Sequence, residues 1–168
     1  GLAQDFVPIR LALIGGQSGT SDTTNVEDYE RISALAHSMG VSGRIIRTGF
    51  VPPTEISTAL LSCHVMVMPY RDGASLRRGT LMACLNHGCP TITTQPNTTL
   101  PDLQHGKNIY LVSPNSPQAI MAAVSELRDD PHLRARIGRA AQVLSDIFTW
   151  DKIAVRTLEF FEGVVASR

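Results

Sequence analysis

With only three cysteines in 168 residues, Cys63, Cys84 and Cys89, this chain has no CxxC pair and no histidine at zinc-ligand spacing. So sparse and odd a set argues against a disulfide framework and fits reduced, mostly buried thiols in a cytosolic protein. An excess of either charge is missing too. Fifteen Lys and Arg balance fifteen Asp and Glu, which argues against a broad nucleic-acid-binding surface. Charged residues make up only 18% of the chain and hydrophobic ones 43%, a composition for a packed core rather than a disordered tail. No apolar run approaches the roughly 18 residues of a membrane-spanning helix. The opening GLAQDFVPIR lacks both a signal peptide's apolar core and an initiator methionine, as expected of a processed or excised piece. Neither GxGxxG nor a Walker pattern occurs. The five histidines, His37, His64, His87, His105 and His132, are scattered, and nothing suggests a catalytic triad, a zinc site or a DNA-reading helix.

What is present is alternation. Ile9–Ile14 and His64–Met68 are short apolar runs, and Arg44–Thr48, Thr91–Thr94 and Asn108–Val112 read as further short strands, together the pattern of buried parallel strands. Between them lie helical periodicities. One starts at an Asn25 cap with Asp28 in its first turn and places Tyr29, Ile32, Leu35, Ala36 and Met39 on one face, ending at Gly40. Another starts at Pro53, with Ile56, Leu60 and Leu61 facing inward. The last third reads as helices, started by Ser116-Pro117, by Asp130-Pro131 and at Thr149. Their stripes are Ile120, Val124 and Leu127; Leu133, Ile137, Ala141 and Leu144; and Trp150, Ile153, Thr157, Phe160 and Val164. Strands alternating with helices predict an α/β fold with a mostly parallel sheet. Ligands of such sheets bind beyond the carboxyl ends of the strands, where the loops Gly15–Thr24, Gly49–Pro53 and Tyr70–Ser75 are expected to converge.

The stretch Met68–Thr94, MPYRDGASLRRGTLMACLNHGCPTITT, reads as strand end, glycine loop, helix opening on two arginines, and strand. A helix start presents unpaired N–H groups and partial positive charge. Arg77 and Arg78 add two forked cations suited to phosphate, with Ser75 as the expected N-cap. Both arginines could equally be solvated surface charges, and adjacent helical residues diverge by about 100°. Gly79 and Ala83 are expected to be small because the helix lies against the sheet.

In order and spacing, IRLALIGG, VSGRIIRTGFVPPTEISTALLSCHVMVMPYRDG, LMACLNHGCPTITT, LPDLQHGKNIYLVSPNSPQAI, RDDPHLRARIGRAA and FTWDKIA together resemble the carboxyl-terminal domain of group 1 retaining glycosyltransferases of GT-B architecture. The resemblance implies a Rossmann-like three-layer domain over residues 1–168 that lacks its first strand and helix, with the amino-terminal acceptor domain absent. It implies donor and diphosphate contacts at Gly15, Gly16, Asp72, Gly73, Ala74, Ser75, Leu76, Arg77 and Arg78, and base contacts through the backbone at Phe50 and Val51. It implies a nucleoside diphosphate sugar as donor substrate, no cofactor and no metal. The catalytic residues stay unassigned. The implied location is cytoplasmic, with membrane contact only through regions outside this chain.

Two departures from the family pattern stand out. The positions of the family's E-x7-E glutamates fall on Ser75 and Ala83, so ribose recognition has to come from elsewhere, with Asp72 the nearest carboxylate. The arginine and lysine that neutralise the leaving diphosphate would lie on the strand and helix before this chain's first strand. Three functions remain: the donor half of a two-domain transferase, a non-catalytic nucleotide- or partner-binding module, and a related sugar-nucleotide epimerase. The last would call for catalytic acids or bases in the cleft, and the sequence offers none.

Overall fold

The computed structural model describes residues 9–16 and 23–166, without the side chains of residues 23–28. The loop residues 17–22 lie outside the described residues. The first helix begins at Thr23, so the expected cap Asn25 lies inside it, and no acidic residue stands in its first turn, the place expected of Asp28. The chain divides into two compact units, Gly1–Ala59 and Leu60–Arg168.

In the first unit, β1 (Leu11–Leu13) pairs in parallel with β2 (Ile45–Arg47), Ala12 opposite Ile46. Between them runs α1 (Thr23–Ser38). Gly40 closes α1 with φ +68° while the Val41 amide reaches back to the Ala36 carbonyl at 2.9 Å, satisfying carbonyls the helix end would orphan. Of the predicted α1 stripe only Ala36 is buried; Tyr29, Ile32, Leu35 and Met39 are exposed. Arg47 ties β2 to α1, stacking over Tyr29 at 3.9 Å and donating to Ser33 Oγ at 2.7 Å. Helix α2 (Pro53–Ser62) opens on the predicted proline. Leu60 is buried but Leu61 is 68% exposed, against the inward position expected of it: at 100° per residue the two point to different sides.

In the second unit, β3 (Met66–Met68), β4 (Thr91–Thr94) and β5 (Tyr110–Val112) form a parallel sheet in that order. Helix α3 (Gly79–Asn86) connects β3 to β4, and α4 (Pro117–Asp129) and α5 (Pro131–Ser145) follow β5. Strand alternation sorts the core into two clusters. Ile109 and Leu111 join Leu81 and Leu85 of α3 and Ala141 of α5, whereas Tyr110, Val112 and Ile92 join Leu127 of α4 and Ile137 of α5. The sheet is therefore covered on both faces, as a parallel sheet requires. The predicted caps hold: Ser116 Oγ accepts from the Ala119 amide at 3.2 Å and Asp130 Oδ1 from the Leu133 amide at 2.8 Å. Helix α6 (Trp150–Ala166) buries none of its residues, and Trp150, Ile153, Phe160 and Val164 of its predicted stripe are exposed.

Candidate functional site

Two strand-end clusters carry the predicted site residues, one in each unit. In the first unit the loops after β1 and β2 meet: Gly15 bridges Gly49, and its amide donates to Thr48 Oγ1 at 3.0 Å. Gly16 lies so close to Phe50 that an added Cβ would come within 3.2 Å of that residue's Cβ and backbone nitrogen. Gly15, Gly16 and Phe50 are thus brought together, and Val51, half-buried, follows directly. Phe50 is 91% exposed. Sequence reasoning missed Thr48, whose hydroxyl organises this corner.

In the second unit the site is the loop from Tyr70 to Arg78. It is anchored from beneath by β4, whose four residues are all buried. A threonine hydroxyl in an apolar sheet needs an acceptor. Thr93 Oγ1 donates to the Met68 carbonyl at 2.8 Å and Thr94 Oγ1 to the Tyr70 carbonyl at 2.7 Å. The Ala74 amide then reaches the Thr94 carbonyl at 3.2 Å. Three threonines in one short buried strand were the available signal for this support.

Gly73 sits in the left-handed region at φ +80°, and a Cβ there would lie 2.7 Å from the Gln95 carbonyl oxygen and 2.9 Å from the Asn97 amide nitrogen. No side chain fits. Asn97 Nδ2 donates to the Asp72 carbonyl at 2.9 Å, so the Asp72–Gly73 backbone is docked onto the turn after β4. Ala74 is buried and Leu76 half-buried against the α3 side of the core, which leaves their backbones as the groups they could offer a ligand.

The helix start differs from the expectation. Ser75 is not the N-cap: its Oγ accepts from the Arg77 amide at 3.3 Å and its carbonyl from the Arg78 amide at 3.1 Å, closing a turn ahead of the helix. Arg78 is the capping residue, extended at ψ 107°, and α3 begins only at Gly79. A guanidinium has no acceptor, so Arg78 makes no side-chain cap bond. First-turn amides of a helix have no intrahelical acceptor either. The start of α3 is therefore electrostatically open. Gly79 is exposed, and a Cβ on it would meet nothing within 4 Å. Packing against the sheet, the reason expected for its small size, does not apply; Ala83 is half-buried.

The two arginines part company. Arg78 stacks over the Tyr70 ring at 4.0 Å and forms an ion pair with both carboxylate oxygens of Asp72. Its Nε is buried without a hydrogen-bond partner. Tyr70 is itself held by a 2.9 Å hydrogen bond between its hydroxyl and Thr80 Oγ1. Arg77 is exposed.

The cysteines fit inert core thiols. All three are free, Cys84 and Cys89 are buried, and burial pushes the Cys84 thiol up to about 12 and raises those of Cys89 and Cys63. Such thiols yield little thiolate, the reactive form. His105 serves the fold: its Nδ1 accepts from the Leu111 amide at 3.0 Å. Among the described residues no group of three or more His, Cys, Asp or Glu could hold a metal ion, and no helix is long and apolar enough to cross a membrane.

A sequence model of the family described as glycosyl transferases group 1 matches residues 2–143. A D-inositol 3-phosphate glycosyltransferase of Acidothermus cellulolyticus is 27% identical over 160 residues, which are 95% of this chain and 34% of that protein. The chain spans about a third of the length of such relatives. Among solved structures, Anabaena Alr3699/HepE in complex with UDP superposes with a TM-score of 0.77 at 16% identity, covering 99% of this chain and 43% of that one. The sucrose-phosphate synthase of Thermosynechococcus elongatus gives a TM-score of 0.76 at 18% identity, over 95% of this chain and 39% of that one. These likenesses extend the α/β parallel-sheet fold over nearly the whole chain.

Proposed function

Because the chain belongs to the glycosyl transferases group 1 family, we propose that it forms the donor-binding part of a transferase that moves a sugar from a nucleoside diphosphate sugar to an acceptor. The observation that carries this reading is the uncapped start of α3, with an exposed Arg77 beside it on a loop tied to the sheet by Thr93 and Thr94. In glycosyl transfer the barrier lies in separating a diphosphate from an anomeric carbon that gains positive charge. Fixed amides and a guanidinium aimed at the diphosphate stabilise that separation without reorganising. Arg77 and the backbone of Gly73–Leu76 would meet the diphosphate and sugar. That Anabaena Alr3699/HepE has been solved with UDP bound supports a nucleoside diphosphate as the ligand. Transfer with retention, a cytoplasmic setting and an acceptor domain elsewhere in the same polypeptide complete the proposal. So does a further strand on the free edge of β1, which among the described residues pairs only with β2.

A second reading, a binding module without turnover, is favoured by one observation: Ser75 and Ala83 stand where family members place carboxylates. One experiment separates the readings. Titration with several nucleoside diphosphates, followed by amide shifts, should move the Gly73–Arg77 loop at about millimolar concentration, with no turnover by this chain alone. Silence of that loop for every nucleotide defeats the donor-site reading. Arg77→Ala should weaken diphosphate binding while leaving nucleoside binding unchanged; equal losses would count against the assignment.

A further inference from the structure

Asp72 is the one carboxylate on the diphosphate loop, and a carboxylate beside a diphosphate is electrostatically costly. Its partner is Arg78, the residue that caps α3. The two ends of this pair are held very differently. Arg78 is fixed from beneath by Tyr70, whose ring it covers at 4.0 Å, and Tyr70 is fixed in turn through Thr80 and through the Thr94 hydroxyl on its carbonyl. Its side chain is 31% exposed, against 73% for Asp72. The Asp72 backbone is pinned by Asn97, so only the carboxylate is free to turn away.

The pairing is also incomplete. Asp72 engages a single terminal nitrogen of Arg78, and Nε lacks a partner. A guanidinium is best satisfied by two acceptor oxygens across two of its nitrogens, a geometry that phosphate supplies.

We propose that Asp72 is an internal competitor for the diphosphate: it occupies the Arg78 guanidinium in the free protein and yields it, by swinging into solvent, when a diphosphate arrives. This rests on the donor-site reading above and assigns that site a regulatory contact. An exposed pair contributes about 0.2–1 kcal/mol, weak enough for a dianionic or trianionic ligand to displace. The contact keeps the arginine oriented and its charge compensated while the site is empty. It also sets a threshold against small monoanions, which cannot outcompete a tethered carboxylate.

The test uses inorganic pyrophosphate and UDP as probes on four proteins: wild type, Asp72→Asn, Arg78→Ala and the double variant. Asp72→Asn should tighten pyrophosphate by about 1.4- to fivefold, the range that such a pair spans. In the Arg78→Ala background the same change should gain less than about half of that factor, because only like-charge repulsion is then relieved. Equal gains in both backgrounds would overturn the competition and leave simple repulsion. Unchanged pyrophosphate binding in Asp72→Asn would overturn it as well. Weaker UDP with unaltered pyrophosphate would overturn it by assigning Asp72 to the sugar ring. If neither probe binds any of the four proteins, the donor-site reading falls and the competition with it, an outcome distinct from binding that ignores Asp72.

Discussion

Strand β1, Leu-Ala-Leu, is the more apolar in sequence, yet Leu11 is 47% exposed while all four residues of β4, three of them threonine, are buried. The difference lies in their neighbours. β4 has β3 on one edge and β5 on the other, with helices packed on both faces of that sheet; among the described residues β1 has only β2. An apolar run in sequence states what a strand can tolerate, and its burial depends on what else is there to cover it. The same holds for helices. α5 buries Leu133, Ile137 and Ala141, whereas α6, equally periodic, buries nothing.

The largest effect should come from cutting into each unit in turn. Leu85, fully buried under the β-sheet's α3 side, should cost about 2–5 kcal/mol when changed to Ala. Leu11→Ala in β1 should cost less than about 1 kcal/mol, since half of the side chain already meets water. Denaturant melts of the two variants measure the contrast; equal losses would mean that Leu11 is as well covered as Leu85.

Alkaline pH sharpens the contrast through the second unit alone. The Cys84 thiol ionises near 9.0 when unfolded and is pushed up to about 12 by burial, with Cys89 adding to the effect. The folded state thus favours the neutral thiol. That contribution is complete below pH 9 and is lost as pH rises from 9 through 12, amounting to a few kcal/mol by linkage. Cys84→Ala should flatten the fall in stability over that window, whatever it costs at pH 7; an unaltered slope would remove the buried thiol as its cause.

A smaller, local effect is expected at Gly73. Gly73→Ala meets both a positive φ and a backbone contact of 2.7 Å, which should cost about 1–3 kcal/mol. The loop should lose its register on β4, so diphosphate binding should fall further than global stability; a stability change alone would separate the loop from the site.

Much of the second unit was legible from sequence, because its signals are local. Ser116 and Asp130 cap the helices that follow them within three residues, and Pro117 and Pro131 open theirs. The candidate site was legible as a segment but not as an arrangement. Ser75 has the right chemistry for a cap, but the helix starts later because Arg78 is held extended while its side chain lies on Tyr70 and pairs with Asp72. Those contacts join residues six and eight positions apart through a loop whose path rests on Thr93 and Thr94. Periodicity likewise named the apolar faces of α1 and α6 without saying whether anything covers them.

Gly79 gives the smallest effect and the cleanest separation of fold from site. In a helix, glycine is worse than alanine by roughly 0.8–1 kcal/mol in the interior, and less at the first position. Here nothing stands within 4 Å of an added Cβ, so packing gives no reason to keep a glycine. Gly79→Ala should therefore raise stability by a few tenths of a kcal/mol. If a diphosphate lies against the open start of α3, the new methyl group occupies the space of the approaching oxygens and binding weakens even as the fold gains. A thermal melt beside a pyrophosphate titration reads both quantities. Stability and affinity moving in opposite directions would mean that the glycine is kept for the ligand, and affinity left unchanged would place the anion away from the start of α3.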